Sequence, residues 1–299
     1  MIEKDHPHYN TITFLHFFYK LFSEAKKFFF YAKGSANFDS MKIRFEAYNP
    51  LMKSSVISIS QEKSFYLEHI RRQVGKGMPA GRVSGGIVCH EGTSYLRVNY
   101  DETVAEKIRR NLLDTVSEVI SLGFKAEYLA VKLRLKQGDL LTETLINTMS
   151  IFDSGTDKRI VLKSLEKLSD IDMDGLFMFR LEELKNRWNE IAEITGKGSL
   201  VAADAEVRGE FLRYLVSSIP SLIDKVTVDF TLAGYTLYDE EGAHIEKMRL
   251  FSPSASEDSE LMYNLICLAP RKVIITGDSV LLCDEAKCLI KELFLTEER

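Results

Sequence analysis

The sequence has no apolar stretch long enough to cross a membrane. Its 299 residues contain no run approaching the roughly 18 apolar residues that a membrane-spanning helix needs. Its start also lacks the basic, apolar and small-residue sections of a secretory signal peptide. Both absences favour a cytoplasmic protein with no transmembrane segment.

Cysteine is scarce, and the familiar catalytic motifs are missing. The four cysteines have no metal-ligand spacing, so we expect reduced thiols rather than disulfides; they are Cys89, Cys267, Cys283 and Cys288. The segment Gly81-Arg-Val-Ser-Gly85 misses the serine-nucleophile pattern by one residue. This favours a protein without cofactor or catalytic residues. The remaining enzyme hypothesis needs a site that brings His69, His90 or His244 together with acidic partners.

Charge of one sign dominates only the last part of the chain. The net charge is −5, and residues 220–299 carry eight basic and fifteen acidic side chains, a net charge of −7. Such a segment repels phosphate backbones, so nucleic-acid binding is not expected there.

The composition is that of a globular protein, with 45% apolar and 28% charged residues. Residues 1–40 are an aromatic-rich extension, which we interpret as lying upstream of a true start at Met41. A packing helix is the first alternative, and peripheral membrane contact through 14–31 is the less favoured one. We predict a helix-rich α+β fold with an N-terminal α/β portion at 41–124, a bundle of short helices at 125–219 and a small C-terminal α/β unit at 220–299.

The stretch 169–193 contains the only tryptophan. Five apolar residues recur there at spacings of three and four, which places them on one face of a helix; they are Phe177, Leu181, Leu184, Trp188 and Ile191. We predict a single core helix, started by Asp174 as its cap and ended by Gly196 and Gly198.

An aspartate run precedes this helix. Asp170, Asp172 and Asp174, followed by Gly175, match the opening of an EF-hand calcium loop. Position twelve, which requires a bidentate glutamate, is Leu181. We therefore interpret the run as a solvated capping turn and predict no metal site.

A glycine-rich basic loop spans 75–86. Glycine loops can direct backbone N–H groups at phosphate, but this spacing fits neither the dinucleotide nor the nucleotide-triphosphate motif. With the preceding helix, predicted over Ser64–Val74, the loop offers a candidate site for phosphate or nucleic acid; its residues are Arg71, Arg72, Lys76 and Arg82. A mobile connecting turn is the favoured interpretation.

Six segments follow one another along the chain: Asp172-Met-Asp-Gly-Leu-Phe-Met-Phe-Arg-Leu181, Trp188-Asn-Glu-Ile-Ala192, 210–214, 225–229, 234–242 and 268–275. In their order and rough spacing they resemble the YtxC-like family of sporulation proteins in spore-forming Firmicutes. The resemblance covers 100–299 and is absent from 1–40. It implies a role in spore formation and supplies no catalytic residues. It also implies a helix at 127–136, where the alternation of Val131-Lys-Leu-Arg-Leu-Lys136 alone allows a strand.

The favoured function is thus a cytoplasmic protein that acts in spore formation through contacts with an unknown protein partner. The alternatives are a nucleic-acid or nucleotide binder using the basic loop, and an enzyme whose site the sequence does not reveal.

Overall fold

The computed structural model describes residues 52–133, 139–166, 168, 170–197, 205–252, 255–277 and 279–298. The predicted extension at 1–40, the alternative membrane contact at 14–31 and the proposed start at Met41 lie outside these ranges. Within them, helices combine with two mixed sheets, so the predicted helix-rich α+β fold is confirmed. None of the described helices combines the length and apolarity needed to cross a bilayer.

The first sheet is assembled from one hairpin and two separate strands. Its strands are β1 (Met52–Ser60), β2 (Val83–His90), β3 (Thr93–Asp101) and β4 (Ile171–Asp172). The helix α1 (Ser64–Val74) connects β1 to β2. The strand order is β2-β3-β1-β4, with β1 antiparallel to β3 and parallel to β4. The sequence predicts a hairpin in which Glu91 and Gly92 separate the strands Ile87–His90 and Tyr95–Tyr100, and the structure confirms it. Its turn residues Glu91 and Gly92 both have positive φ, as a two-residue hairpin turn requires.

A continuous helical segment follows this hairpin. It consists of α2 (Ala105–Glu118), a π-helical segment (Val119–Phe124) and α3 (Lys125–Leu133). The sequence predicts Asp101 as the cap of this segment, and its side chain accepts a hydrogen bond from the backbone N–H of Thr103 in the 3-10 turn Glu102–Val104 that leads into α2. Gly123 lies against Tyr66, where an added Cβ would be 2.6 Å from the ring. The helix implied at 127–136 is confirmed as far as Leu133, and 134–138 lie outside the described residues.

The next helices differ from the prediction in one respect. They are α4 (Leu140–Ile151), α5 (Ser154–Leu165), α6 (Met173–Phe179), α7 (Glu182–Lys197) and α8 (Ala205–Ser218). The single core helix predicted from Asp174 onward is wrong, because the chain leaves helical geometry between α6 and α7. The last hydrogen bond of α6 runs from the N–H of Arg180 to the carbonyl of Leu176. The first hydrogen bond of α7 runs from the N–H of Lys185 to the carbonyl of Leu181. This break lets the Phe177 ring of α6 stack on Trp188 of α7, with 5.7 Å between centroids.

The last part of the chain forms the second sheet and its helices. The elements are β5 (Lys225–Thr231), β6 (Gly234–Tyr238), β7 (His244–Ile245), α9 (Glu257–Leu268), β8 (Lys272–Gly277), α10 (Asp284–Leu293) and β9 (Leu295–Glu298). The strand order is β7-β6-β5-β8-β9. The hydrophobic pattern of 220–299 predicts the order strand, strand, helix, strand and helix, which the structure confirms, while the short strands β7 and β9 were not predicted.

Two hydrophobic cores organise these elements. The first core joins the first sheet to α1, α2, α5 and α6, and includes Leu184 and Trp188 of α7. The second core joins the second sheet to α3, α4, α8, α9 and α10. The helices of 125–219 therefore contribute to both cores, and the domain boundaries placed at 124/125 and 219/220 stay predictions.

Candidate functional site

The glycine-rich loop forms two successive turns after α1. The N–H groups of Lys76, Met78 and Arg82 donate to carbonyls within the segment 73–79. Gly77 and Gly81 have positive φ, which glycine adopts without strain. The loop follows the C-terminal, negative end of a helix, whereas phosphate loops precede the positive N-terminal end. Its backbone geometry therefore does not form a phosphate cradle.

The four predicted basic residues lie near one end of β2. Arg71 pairs with Glu68, and Lys76 pairs with Glu246 from the segment after β7. Arg82 pairs with Asp101 at 2.7 Å, and hydrogen bonds from Thr103 together with this arginine hold the pKa of Asp101 below its usual range.

Arg72 has no carboxylate partner among the described residues, and the assignment of these four residues to a binding site stays a prediction. Lys107 of α2 also reaches the loop, where its Nζ donates to the Gly77 carbonyl at 3.2 Å.

The aspartate run is anchored to the first sheet. Ile171 and Asp172 form β4, and Asp174 accepts a hydrogen bond of 2.7 Å from the backbone N–H of Ser60. The predicted capping role of Asp174 is wrong, because the N-cap position of α6 is Asp172 and the Asp174 carboxylate binds the end of β1 instead. Leu181, at position twelve of the motif, is buried in the first core. Among the described residues, no three His, Cys, Asp or Glu side chains are placed to hold a metal ion.

Trp188 belongs to a buried polar centre that the sequence analysis missed. Trp188, Leu181 and Leu184 are fully buried, while Phe177 and Ile191 are partly buried against the first core. The Trp188 indole N–H donates to Asp157 at 3.0 Å.

The Asp157 carboxylate also accepts from Lys125, and both charged side chains are buried. Lys125 Nζ donates as well to the Phe152 carbonyl at 2.9 Å, and Arg187 Nε lies 3.6 Å from the other Asp157 oxygen. Burial lowers the pKa of Lys125, an effect that Asp157 opposes. One signal could have revealed this centre, since Lys125 shares its helical face with Leu129 and Leu133.

The three histidines considered for an enzyme site occupy different elements. His69 is buried in α1, His90 ends β2, and His244 lies in β7 of the other sheet. The His69 ring meets Phe251 edge-on, and its Nε2 is buried with no hydrogen-bond partner. Burial, with Arg249 and Arg72 nearby, lowers the pKa of His69 to about 4.

The four cysteines are free thiols. Burial raises the pKa of Cys267 to about 12, which keeps this thiol protonated and weakly nucleophilic.

The outer edge of β2 is a further candidate binding feature. The N–H of Asp101 donates to the Arg82 carbonyl at 3.1 Å, which fixes the alternation of hydrogen bonds in the β2–β3 ladder. The backbone N–H and C=O groups of residues 84, 86, 88 and 90 therefore point toward β3. Those of four other residues point outward, away from the sheet: Val83, Gly85, Ile87 and Cys89. No strand pairs with this edge among the described residues.

Comparisons with known proteins place no relative beside this chain. No family model, no curated protein sequence and no solved structure matches it.

Proposed function

We propose that this chain is a non-enzymatic cytoplasmic protein that acts in spore formation through contacts with another protein. The resemblance of 100–299 to the YtxC-like sporulation family supports the biological process. The outer edge of β2 supports the mode of action, because its outward N–H and C=O groups can form backbone hydrogen bonds to a partner.

The β2 edge is the observation on which this proposal depends. The strand spans eight residues and pairs with β3 along its whole length without a bulge. Ser84, Gly86, Cys89 and His90 are exposed, so the strand is open to solvent along its length. A preformed strand lowers the entropic cost of binding an extended segment, because only the partner must become ordered.

Deletion of the gene in its own host tests the biological role. We expect fewer heat-resistant spores and normal vegetative growth, with the yield restored by the unaltered gene. Induction of the transcript during starvation should accompany this phenotype. Normal spore yield in the deletion strain would contradict the proposal.

Binding of phosphate or nucleic acid is the second candidate function. Arg72 favours it, because this exposed cation has no carboxylate partner among the described residues. A site that binds phosphates through Arg71, Arg72, Lys76 and Arg82 must release counterions, so its affinity for duplex DNA should fall with salt with a slope near −0.9 per neutralised phosphate. Absence of binding to duplex DNA and to single-stranded RNA at low salt would eliminate this candidate.

A further inference from the structure

The β2 edge differs from the other sheet edges that the structure describes. β4 and β7 each span two residues, and β9 spans four residues that include Glu297 and Glu298. Natural sheets protect their edges by such shortness and charge, and also by proline, lysine and bulges. β2 has eight residues and contains no proline, lysine, aspartate or glutamate. An edge of this length without protection is expected where another chain adds a strand.

Basic side chains frame one end of this edge. The Cγ atom of Arg71 lies 3.3 Å from the position that a Cβ would take on Gly85, so the arginine side chain lies over β2. Arg82 directly precedes the strand, and Arg72 follows Arg71 in the last turn of α1. The opposite end carries the exposed acidic residue Glu91 in the hairpin turn. The end of the edge near Arg71 and Arg82 therefore favours acidic ligand residues, and the end near Glu91 does not.

The arginines remain available to a ligand although two of them have acidic partners. The side chains of Arg71 and Glu68 are both 42% exposed, and those of Arg82 and Asp101 are 48% and 31% exposed. Exposed ion pairs contribute little to stability, so these guanidinium groups can exchange their partners at small cost. A carboxylate on a strand that pairs with β2 gains charge-assisted hydrogen bonds to these guanidinium groups.

We infer that β2 binds an extended acidic segment of another protein as an additional strand. Carboxylates of that segment face Arg71 and Arg82, and uncharged residues lie opposite Ile87 and Cys89, away from the carboxylate of Glu91. This inference rests on the proposed function and names the class of partner.

A second copy of this chain fits the edge less well. In one register, two β2 strands paired antiparallel place Gly85 of one copy beside Ile87 of the other. The two Arg71 side chains, each over its own Gly85, then approach one another near the symmetry axis. Each Arg71 has only its exposed partner Glu68 to offset its charge, and β2 itself contains no carboxylate, so the like charges oppose pairing in this register.

A labelled peptide binding to the full chain tests the inference. The probe is a ten-residue peptide with alternating glutamate and threonine in one half and alternating valine and threonine in the other. Fluorescence anisotropy should show binding that weakens with salt. Replacing glutamate with lysine in the same peptide should weaken it about tenfold or more.

Two methylated peptides examine the backbone pairing. Each carries N-methyl groups on alternate amides, one peptide on the even and the other on the odd positions. An added strand forms hydrogen bonds to β2 either through its even-numbered amides or through its odd-numbered amides, but not through both. One methylated peptide should therefore lose about tenfold in affinity, and the other should keep the affinity of the unmethylated peptide. Equal affinity of both peptides would overturn strand addition.

Substitutions in the protein provide matched pairs. Cys89→Pro removes an outward N–H group without removing a bond to β3, whereas Cys89→Ser keeps it. We expect only the proline variant to weaken peptide binding. The double variant Arg71→Glu with Arg72→Glu should also weaken it, whereas Arg110→Glu on exposed α2 should not. If Cys89→Pro fails to fold, the methylated peptides decide the outcome on the unaltered chain.

The remaining outcomes separate this inference from the proposed function. No peptide binding, together with a dimer that Cys89→Pro converts to monomer in sedimentation, assigns the edge to a second copy and overturns the inference. Full rescue of spore yield by a folded Cys89→Pro variant also overturns it while leaving the proposed function intact. A deletion strain with normal spores contradicts the proposed function, and the anisotropy results then judge the edge alone.

Discussion

The two cores differ in what they bury. The first core adjoins two charged side chains, Lys125 and Asp157, and a buried imidazole, His69. The second core buries neutral polar groups, of which Asn264 bonds to the Met248 backbone and to the Glu260 carbonyl. A buried charge is tolerated only with its partner, whereas a neutral apolar core tolerates changes according to the cavity they leave. Removing a charged side chain at the first core should therefore cost stability through the charge left behind. Truncating a side chain in the second core should cost stability through the cavity left behind.

The largest effect is expected from breaking the buried ion pair. Lys125→Met leaves the buried Asp157 carboxylate with only the partly exposed Arg187, 3.6 Å from one oxygen, and should lower the free energy of unfolding by about 3–5 kcal/mol. Urea denaturation measures this change. The double variant Lys125→Met with Asp157→Asn removes both charges, keeps an oxygen for the Trp188 N–H and should recover most of the loss. A double variant as unstable as the single one would show that packing, not charge, determines the cost.

The corresponding change in the second core is a cavity. Leu265 of α9 is fully buried there, and Leu265→Ala should cost about 2–5 kcal/mol. Because no charge is uncovered, the cost should be the same at pH 5 and pH 8. A loss that changes strongly between these pH values would erase the contrast between the cores.

A smaller effect is expected from the pH dependence of His69. Its pKa is about 4 in the folded chain against 6.5 for the free group, so folding favours the neutral imidazole. The resulting stabilisation is complete above pH 6.5 and is lost as the pH falls toward 4.

We expect His69→Phe to reduce the stability difference between pH 7 and pH 4 by about 2 kcal/mol. The matched change at exposed His90 should leave the difference unaltered, and urea denaturation at both pH values checks this.

The smallest effect is expected at the aspartate run. Asp172 is exposed and makes no side-chain cap hydrogen bond to α6, so Asp172→Asn should change the free energy of unfolding by about 0.5 kcal/mol or less. A calcium titration followed through Trp188 emission should be flat. A calcium-dependent rise in Tm that Asp172→Asn abolishes would instead establish an EF-hand-like site beside the first core.

Local patterns predicted most elements but not their long-range contacts. The hairpin, the cap at Asp101 and the C-terminal order of strands and helices depend on neighbours in sequence, so periodicity and capping chemistry revealed them. The break at Leu181 escaped prediction because β4 and the Asp174–Ser60 bond, which direct α6, depend on pairing with a strand more than 100 positions earlier.

The binding edge and the buried pair also depend on distant contacts. The basic residues around β2 were identified from composition, but the direction of each N–H group needs the register of the β2–β3 ladder. Lys125 could have been suspected from its apolar helical face. Its partner Asp157 lies 32 positions away, with no sequence pattern linking the two.

The continuous helical segment 105–133 has a consequence for how the molecule opens. Its side chains through Phe124 belong to the first core, while Leu129 and Leu133 belong to the second. If one core unfolds, it exposes part of the helical segment 105–133, whose remaining part is still packed in the other core. Hydrogen exchange of these amides should therefore proceed at a common slow rate set by global unfolding, rather than in two steps.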